Sequence, residues 1–241
     1  MFLEERYEKI IDCIEKEGKV KVKDLSNKFK VTEDCIRKDL RELENRGKLK
    51  RVYGGAIIQR GHIEVKPVDE RISINIEKKK KVATKAIEII EDGDTIFLDV
   101  STSNLEISKL LSKKNIKLTV VTNMIEIVLE LRKNNNIRVI SVGGEFNKYV
   151  GAIIGAAANS YIRQFRFDKS FIGVCGINME TKNVSTIDIE DGTTKSTIIE
   201  CSNKSFLVTE NEKFNYDDFY KFTSIQDVTG IITEEEVIFS S

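Results

Sequence analysis

Apolar residues in the first 58 positions recur at helical spacing in three short stretches that are separated by turn signals. The first stretch ends at Gly18. The third begins after Thr32, a residue suited to the N-cap, and ends at Gly47. Beyond it, the pattern predicts two short strands in LKRVYGGAII, joined at Gly54 and Gly55, which permit a tight turn. The pattern therefore predicts three helices followed by a short β-hairpin.

From residue 73 onwards, a lysine-rich helical stretch is followed by short apolar runs that alternate with further helical stretches. The apolar runs predict strands at residues 95–100, 118–123, 137–144, 169–178, 205–210 and 228–234. Strands separated by helices are typical of βαβ units, which form a mainly parallel sheet with helices on both faces. We therefore expect an α/β fold for the larger part of the chain.

These two patterns indicate two domains. The single proline of the chain, Pro67, lies between them, and proline disfavours helix in the residue before it. We predict a small N-terminal domain at residues 1–58, an extended linker at residues 59–72 and an α/β domain at residues 73–241.

Composition excludes several classes of protein. No apolar run approaches the ~20 residues of a membrane-spanning helix, and the N-terminus is charged from residue 4, so neither a membrane span nor a secretory signal is expected. The 4 cysteines include no CxxC pair, and 1 histidine cannot supply a set of imidazole ligands. We therefore expect a cytoplasmic protein that holds no metal and no cofactor.

The distribution of charge is more informative than its sum. The 39 basic and 39 acidic residues cancel, which excludes a protein that is basic over its whole surface. Residues 1–60 nevertheless carry a net charge of +4, and residues 61–241 carry −4. A basic module attached to a mildly acidic body is typical of polyanion binding, although a solvated basic face fits the charge alone equally well.

Periodicity and charge together favour a nucleic-acid interface. Three helices and a basic hairpin are the parts of a winged helix-turn-helix, whose third helix enters the major groove of DNA. Arginines on that helix suit guanine, and basic residues on the wing suit phosphates. The alternative is a three-helix interaction module with a charged exposed helix. The predicted DNA contacts are Thr32, Arg37, Lys38, Arg41, Lys50, Arg51 and Tyr53.

Polar residues follow several predicted strands of the α/β domain. Ligands bind outside the carboxyl ends of the strands in open α/β sheets, and a helix that starts there offers N–H groups to an anion. The residues at these positions are Asp99, Ser101, Thr102, Ser103, Asn123, Gly143, Gly144 and Lys213. Each alone fits ordinary turn chemistry, but together they predict a site for a small phosphorylated ligand.

The chain resembles the DeoR family of bacterial transcriptional regulators over nearly its whole length. The N-terminal similarity lies in TEDCIRKDLRELENRGKLKRVYGGA, above all in IRKDL and in the Arg-x-x-Gly-Gly-Ala of the wing. In the body it lies in FLDVSTS, TVVTN, VGGEFNKYVGAIIG, FDKSFIGVCGIN and VTENEKF. The resemblance implies an effector domain similar to ribose-phosphate isomerases and CoA transferases, which senses a phosphorylated sugar.

We therefore expect a DNA-binding transcriptional regulator, a repressor of sugar or carbohydrate metabolism genes whose operator affinity is modulated by a phosphorylated sugar. The expected partners are a double-stranded DNA operator, the sugar effector and further copies of the chain in a dimer or tetramer, because paired half-sites match a two-fold protein.

Two alternatives stay open. One is a sugar-phosphate isomerase-like enzyme with a DNA-binding extension, although no spacing in the sequence assigns a general base. The other is a regulator that no longer binds a metabolite, because Ser101 stands where the resemblance implies glycine.

Overall fold

The computed structural model of the protein describes residues 2–58 and 67–240. The chain divides into two compact units, residues 1–61 and residues 62–241. Within the described residues, no helix has both the length and the apolar character that a membrane crossing requires.

The first unit is built from three helices and three short strands. In chain order they are α1 (Leu3–Glu17), β1 (Lys19–Lys21), α2 (Val22–Phe29), α3 (Glu33–Asn45), β2 (Leu49–Val52) and β3 (Gly55–Ile58). The strands form an antiparallel sheet in the order β1-β3-β2, so β2 and β3 are the predicted hairpin and β1 adds a third strand. This arrangement confirms the predicted winged helix-turn-helix.

Local sequence signals explain these bounds. Gly18 adopts a φ of +70° and donates its N–H back to the last turn of α1, which ends the helix. Thr32 caps α3, because its Oγ1 accepts the N–H of Cys35 at 3.2 Å. Gly55 sits where β3 approaches β1 so closely that a Cβ would clash with the carbonyl oxygen of Val20.

The second unit alternates helices and strands. Its helices are α4 (Val68–Ile72), α5 (Ile76–Ile89), α6 (Thr102–Leu111), α7 (Ile125–Leu131), α8 (Ala156–Ile162) and α9 (Ile189–Glu200). Its strands are β4 (Thr95–Leu98), β5 (Leu118–Thr122), β6 (Ile137–Ser141), β7 (Glu145–Asn147), β8 (Ala152–Ile154), β9 (Phe167–Gly173), β10 (Gly176–Ile177), β11 (Asn183–Thr186), β12 (Ser202–Val208), β13 (Tyr220–Ser224), β14 (Gly230–Ile232) and β15 (Val237–Phe239). Single 3₁₀ turns occupy Asn211–Asn215 and Ile225–Asp227.

The main sheet of this unit has the order β15-β14-β12-β9-β4-β5-β6, and every pair except β14–β15 is parallel. From β4 the chain first builds one side of the sheet, with β5 and β6, and then the other side, with β9, β12 and β14. Such a reversal leaves a crevice beside the strand where the direction changes, and ligands bind there in open α/β sheets. The order confirms the predicted α/β fold and indicates where the site lies.

Helices cover both faces of the sheet. Ile96 and Leu98 of β4 belong to a core that includes buried residues of α5, α6 and α7. Phe97, between them, belongs to a second core with buried residues of α8 and α9. Because successive strand residues point to opposite faces, one strand of four residues contributes to both cores.

Several short strands differ from the prediction. The predicted strand at residues 169–178 is interrupted after Gly173 and resumes at Gly176. The hairpin β7–β8 was not predicted, and neither were β11 and β13, which join β10 in a small sheet. Strands of two to five residues carry too few alternating positions to be distinguished from loops.

The predicted linker at residues 59–72 is only partly described, since residues 59–66 lie outside the described ranges. The prediction of extended chain up to residue 72 is wrong, because residues 68–72 form α4. Val68 at its start is buried in the core of the second unit, which fixes this helix to the α/β fold. Pro67 stands just before α4 in extended conformation, with φ −49° and ψ 152°.

Candidate nucleic-acid interface and ligand cavity

Helix α3 separates a buried face from an exposed face. Leu40 is buried in the core of the first unit, whereas Arg37, Lys38 and Arg41 are exposed. Thr32, the N-cap, is exposed at the start of the same helix. The basic residues that the sequence predicted for the major groove therefore lie together on one solvent-facing surface.

Arg37 is held by two carboxylates of its own helix. Its Nη2 donates to Glu33 Oε2 at 2.6 Å, and its Nη1 donates to Asp34 Oδ1 at 2.7 Å. The Arg37 side chain is 55% exposed, and ion pairs with such exposure stabilise a protein by only about 0–1 kcal/mol. The guanidinium can therefore exchange these carboxylates for base edges at small cost. Lys38 and Arg41 form no ion pair with the residues that the structure describes.

A buried ion pair anchors α3 from the opposite side. Arg6 of α1 donates from Nε and Nη2 to the two oxygens of Asp39, at 2.6 and 3.0 Å. This two-point geometry compensates the loss of water around both charges. It also fixes the rotation of α3 about its axis, and thus the direction in which the basic face points.

The wing carries the remaining predicted DNA contacts. Lys50 is exposed, and Tyr53 at the turn is fully exposed. Arg51 donates from its backbone N–H and its Nε to the carboxylate of Glu44, at 2.8 and 2.6 Å, which ties the wing to α3. A hollow of about 460 Å³ between α3 and the wing is lined by Arg51, Tyr53 and the arginines of α3. Arginines of both elements therefore face one concave surface.

The second unit contains a cavity of about 370 Å³ at the carboxyl ends of β4, β9 and β12. Four predicted residues line it, Ser101, Thr102 and Ser103 after β4 and Lys213 after β12. The sequence did not assign several further wall residues to the site, among them Arg71, Asn75, Lys79, Glu210, Glu212 and Tyr216. Cavities of this size accommodate small-molecule ligands.

Helix α6 begins in the wall of this cavity. Ser101 Oγ accepts the N–H of Asn104 at 3.0 Å and thereby caps the helix. The backbone N–H groups of Thr102 and Ser103 donate no hydrogen bond to the described part of the chain. Free N–H groups in the first turn, at the positive end of the helix dipole, suit the oxygens of an anion.

Two cations of the wall come from α4 and α5. Lys79 Nζ donates to the carbonyl oxygens of Arg71 and Ile74, each at 2.6 Å, and burial lowers the pKa of this lysine. Arg71 Nη2 donates to the carbonyl oxygen of Val150 at 2.9 Å, but its buried Nε has no acceptor among the described residues. A buried donor without an acceptor is rare in proteins and indicates a place for a ligand oxygen.

Charged residues around the 3₁₀ turn after β12 complete the wall. The Lys213 ammonium lies 5.6 Å from the centre of the Tyr216 ring. Glu210 is buried, and burial raises the pKa of its carboxyl group, although Lys213 opposes this shift. Glu212 accepts the side-chain N–H of Asn75 at 3.1 Å. The wall thus holds three cations and two carboxylates, which favours an anionic ligand over a cationic one.

Asp99 is fully buried and does not line the cavity. Its fully buried Oδ2 accepts hydrogen bonds from Lys195 Nζ at 2.5 Å and from the N–H of Gly173 at 3.1 Å. Lys195 also pairs with Asp191 at 3.1 Å, and the Thr186 hydroxyl donates to the other oxygen of Asp191. Burial raises the pKa of Asp99 to about 6. Burial alone would lower the pKa of Lys195, but the two carboxylates outweigh it and raise this pKa.

Asn123, Gly143 and Gly144 also lie outside the cavity, which corrects their predicted placement. Asn123 is buried at the end of β5, where its carbonyl oxygen accepts the N–H of Ile153 at 2.8 Å. Gly144 has a φ of +147°, and a Cβ there would lie 3.0 Å from the Ile153 side chain. These residues shape the hairpin β7–β8 and its packing. They are separated from the cavity because β5 and β6 extend the sheet away from β9 and β12.

The missed residues had recognisable signals. Lys79 stands three and seven positions before Val82 and Ala86, so it shares the apolar face of α5 and is buried with them. Asp191 and Lys195 are four residues apart on α9, a spacing that places their side chains together. Arg71 gave no signal, because it fell within the predicted linker.

Comparisons with known proteins agree with both units. The family model of the DeoR-like helix-turn-helix domain matches residues 6–64, and that of the DeoR C terminal sensor domain matches residues 74–235. The HTH-type transcriptional regulator FruR of Bacillus subtilis (strain 168) is 36% identical over 100% of this chain and 95% of its own length. The glycerol-3-phosphate regulon repressor of Escherichia coli (strain K12) is 31% identical over 95% of this chain and 90% of its own length.

Among solved structures, eIF2B delta from Chaetomium thermophilum is similar to this chain with a TM-score of 0.51 and 18% identity, over 70% of this chain and 58% of that one. At this identity the likeness concerns the fold alone. The sequence relatives are named as transcriptional regulators and repressors, which excludes the alternative of an isomerase-like enzyme. The protein belongs to the DeoR family of DNA-binding transcriptional regulators, with an N-terminal winged helix-turn-helix and a C-terminal sensor domain.

Proposed function

We propose that the protein represses genes of sugar or carbohydrate metabolism, and that a phosphorylated sugar in the cavity of the second unit changes its affinity for the operator. The observation that carries this proposal is the cavity wall, where the start of α6 and the unpaired Nε of Arg71 offer donors to an anion. The name of the relative from Escherichia coli refers to glycerol 3-phosphate, a phosphorylated polyol, and fits the same ligand chemistry.

In this proposal the phosphate binds at the start of α6. The N–H groups of Thr102 and Ser103 donate to its oxygens, Lys213 neutralises its charge, and Arg71 donates from Nε to a ligand oxygen. Ser101 does not block this position, since its hydroxyl oxygen is engaged in capping the helix. That geometry favours a cavity that binds a metabolite over one that has lost its ligand.

The proposed interface with double-stranded DNA is the basic surface of the first unit. The exposed face of α3 lies in the major groove and reads base edges, and the wing contacts phosphates beside it. The residues proposed to contact DNA are Thr32, Arg37, Lys38, Arg41, Lys50, Arg51 and Tyr53.

The protein acts in the cytoplasm as a dimer or tetramer, because two winged modules match two operator half-sites. A ligand changes operator affinity only by binding the DNA-competent and DNA-incompetent states unequally. The same linkage requires DNA to change the affinity for the ligand by an equal factor. This reciprocity gives the proposal a quantitative test.

The test combines ligand binding with DNA binding of the full chain. Thermal unfolding is recorded with glycerol 3-phosphate, ribose 5-phosphate, glucitol 6-phosphate and their unphosphorylated parents. A ligand that binds the folded state raises the melting temperature, and only the phosphorylated members are expected to do so. Operator DNA is selected in vitro from a random pool, and its affinity is then measured with and without the stabilising compound.

Lys213→Ala is the informative variant, and Lys117→Ala, which removes an exposed lysine away from the cavity, is its matched control. Lys213→Ala is expected to abolish the ligand-dependent rise in melting temperature, whereas Lys117→Ala retains it. A rise with the unphosphorylated parents, or no rise with any compound, contradicts the proposed effector class.

A further inference from the structure

A smaller chamber of about 50 Å³ adjoins the ligand cavity. The two spaces share Arg71, Ser101, Val174 and Cys175 as wall residues, and Asp191 and Lys195 line the chamber alone. At about 10–15 Å³ for each water-sized group, the chamber holds roughly three to five such groups. That is enough for the end of a hydroxylated carbon chain but not for a sugar ring with its substituents.

Two buried acceptors beside the chamber lack hydrogen-bond donors. The carboxylates of Asp99 and Asp191 lie near the ammonium of Lys195, these three residues are at least nine-tenths buried, and Arg71 adds a guanidinium to the wall. Asp99 Oδ1 and Asp191 Oδ1 accept no hydrogen bond from the described residues, although Asp191 Oδ1 lies 3.1 Å from Lys195 Nζ. Buried acceptors without donors are unfavourable, so this cluster favours a partner that donates hydrogen bonds.

The chamber and the cavity therefore differ in the chemistry that they select. The cavity wall has an excess of cations and the open start of a helix, which suit phosphate oxygens. Beside the chamber lie two buried carboxylate oxygens without a donor, to which a hydroxyl group can donate a hydrogen bond and an ionised phosphate oxygen cannot. A ligand with a phosphate at one end and a hydroxyl at the other satisfies both.

We propose that the chamber is a second subsite, which takes the unphosphorylated, hydroxyl-bearing end of an open-chain sugar or polyol phosphate. This inference rests on the proposed function, in which the phosphate occupies the start of α6. A terminal hydroxyl of the ligand donates to Asp191 Oδ1, and Lys195 holds that carboxylate in place. Asp191 is thus a specificity-determining residue, while Lys213 and α6 bind the phosphate group, which all sugar phosphates share.

Binding of two probes to the full chain tests this assignment. Inorganic phosphate reaches only the anion position, whereas glucitol 6-phosphate, an open-chain polyol, also reaches the chamber. The unaltered protein is expected to bind glucitol 6-phosphate at least about tenfold more tightly than phosphate, as the loss of a buried hydrogen bond to a charged group would predict. Isothermal titration calorimetry measures both dissociation constants.

Three variants locate the origin of this preference. Asp191→Asn removes the acceptor charge, and Ile187→Phe narrows the chamber, which Ile187 lines alone, while leaving the charged groups intact. Both are expected to reduce the preference for glucitol 6-phosphate to less than about threefold, with little change in the affinity for inorganic phosphate. Glu190→Gln removes an exposed carboxylate of the same helix that lines neither space, and it is expected to retain the full preference.

The outcomes separate this inference from the proposed function. If phosphate binds but glucitol 6-phosphate binds no more tightly, or if Ile187→Phe and Asp191→Asn keep the preference, the chamber assignment is wrong and the anion site stands. If neither probe binds the unaltered protein, the proposed function fails, and the inference fails with it. Should Asp191→Asn not fold, as shown by a lost melting transition, Ile187→Phe alone decides.

Discussion

Arg6 and Asp39 form a two-point ion pair inside the first unit, with Nε–Oδ2 and Nη2–Oδ1 distances of 2.6 and 3.0 Å. The pair joins α1 to the face of α3 that points away from Arg37 and Arg41. The direction in which the exposed basic face points therefore depends on one interaction between two helices. Breaking this pair should cost much stability, because the remaining charge would be buried without its partner.

Asp39→Ala should therefore destabilise the first unit. Removing one partner of a buried ion pair costs about 3–5 kcal/mol, and this loss should appear as a lower midpoint for that unit in urea denaturation. Asp34→Ala, which removes an exposed carboxylate of the same helix, should change the free energy of unfolding by less than about 1 kcal/mol. Equal effects of the two substitutions would mean that the buried pair does not anchor α3.

The double variant Arg37→Ala and Arg41→Ala should lose discrimination between operator and unrelated DNA. Each two-point contact between arginine and guanine is worth about 1–3 kcal/mol of specificity. The measurement is the ratio of the two dissociation constants at one fixed salt concentration. Arg132→Ala, an exposed arginine of the second unit, is the control. An unchanged ratio in the double variant would place the recognition surface elsewhere.

Lys50→Ala should weaken binding to every DNA sequence by a similar factor. A lysine that contacts phosphate releases counterions, so its loss should reduce the slope of log K against log salt by about 0.9. Titrations at three salt concentrations, with Lys117→Ala as the exposed-lysine control, measure this slope. A sequence-dependent loss would show that Lys50 reads bases.

Gly151→Ala should destabilise the second unit and loosen α4. Gly151 has a φ of +81°, and a Cβ there would lie 2.6 Å from Val68, the residue that anchors α4. Overpacking of this kind costs about 1–3 kcal/mol, measured by urea denaturation. Gly143→Ala is the matched control, because a Cβ at Gly143 meets nothing within 4 Å and its φ is not left-handed. Similar losses in both variants would contradict the role of this contact.

Lys195→Met should destabilise the second unit more at pH 7 than at pH 5. The pKa of Asp99 is already raised by burial, and loss of the ammonium removes the charge that opposes this rise. A carboxyl group whose folded pKa exceeds its unfolded pKa binds more protons in the folded state, so the free energy of unfolding falls as the pH rises through that interval. Denaturation at both pH values, with Lys117→Met as an exposed control, measures the difference. A loss that does not depend on pH would contradict this account.

The local features of the protein could be predicted from its sequence, whereas the long-range ones could not. The N-cap Thr32, the stop at Gly18 and the start of α6 at Thr102 depend on neighbouring residues, and the sequence contains those neighbours. The order of the strands depends on contacts between distant segments. For this reason Asn123 was predicted at the same site as Ser101, although β5 carries it away from β9 and β12.

The ion pair between Asp99 and Lys195 is one long-range contact that the sequence could not predict. The two residues are 96 positions apart, and no local pattern links one to the other. Only the adjacency of β4 and β9, together with the packing of α9, brings them within hydrogen-bond distance. A single sequence carries no signal of such a pair, because periodicity reports burial but not the identity of the neighbour.

The contacts of Arg37 with Glu33 and Asp34 have a consequence for the speed at which the protein finds its target. On arbitrary DNA, a phosphate must displace two carboxylates to engage this guanidinium, and the exchange of one set of oxygens for another gains little. Guanine offers two acceptors in the plane of the guanidinium, and at the operator this contact adds the base discrimination that a phosphate does not supply. We therefore expect the protein to stay only briefly on unrelated DNA and to move rapidly along it. Glu33 and Asp34 would thus shorten the search for the operator without contacting the DNA themselves.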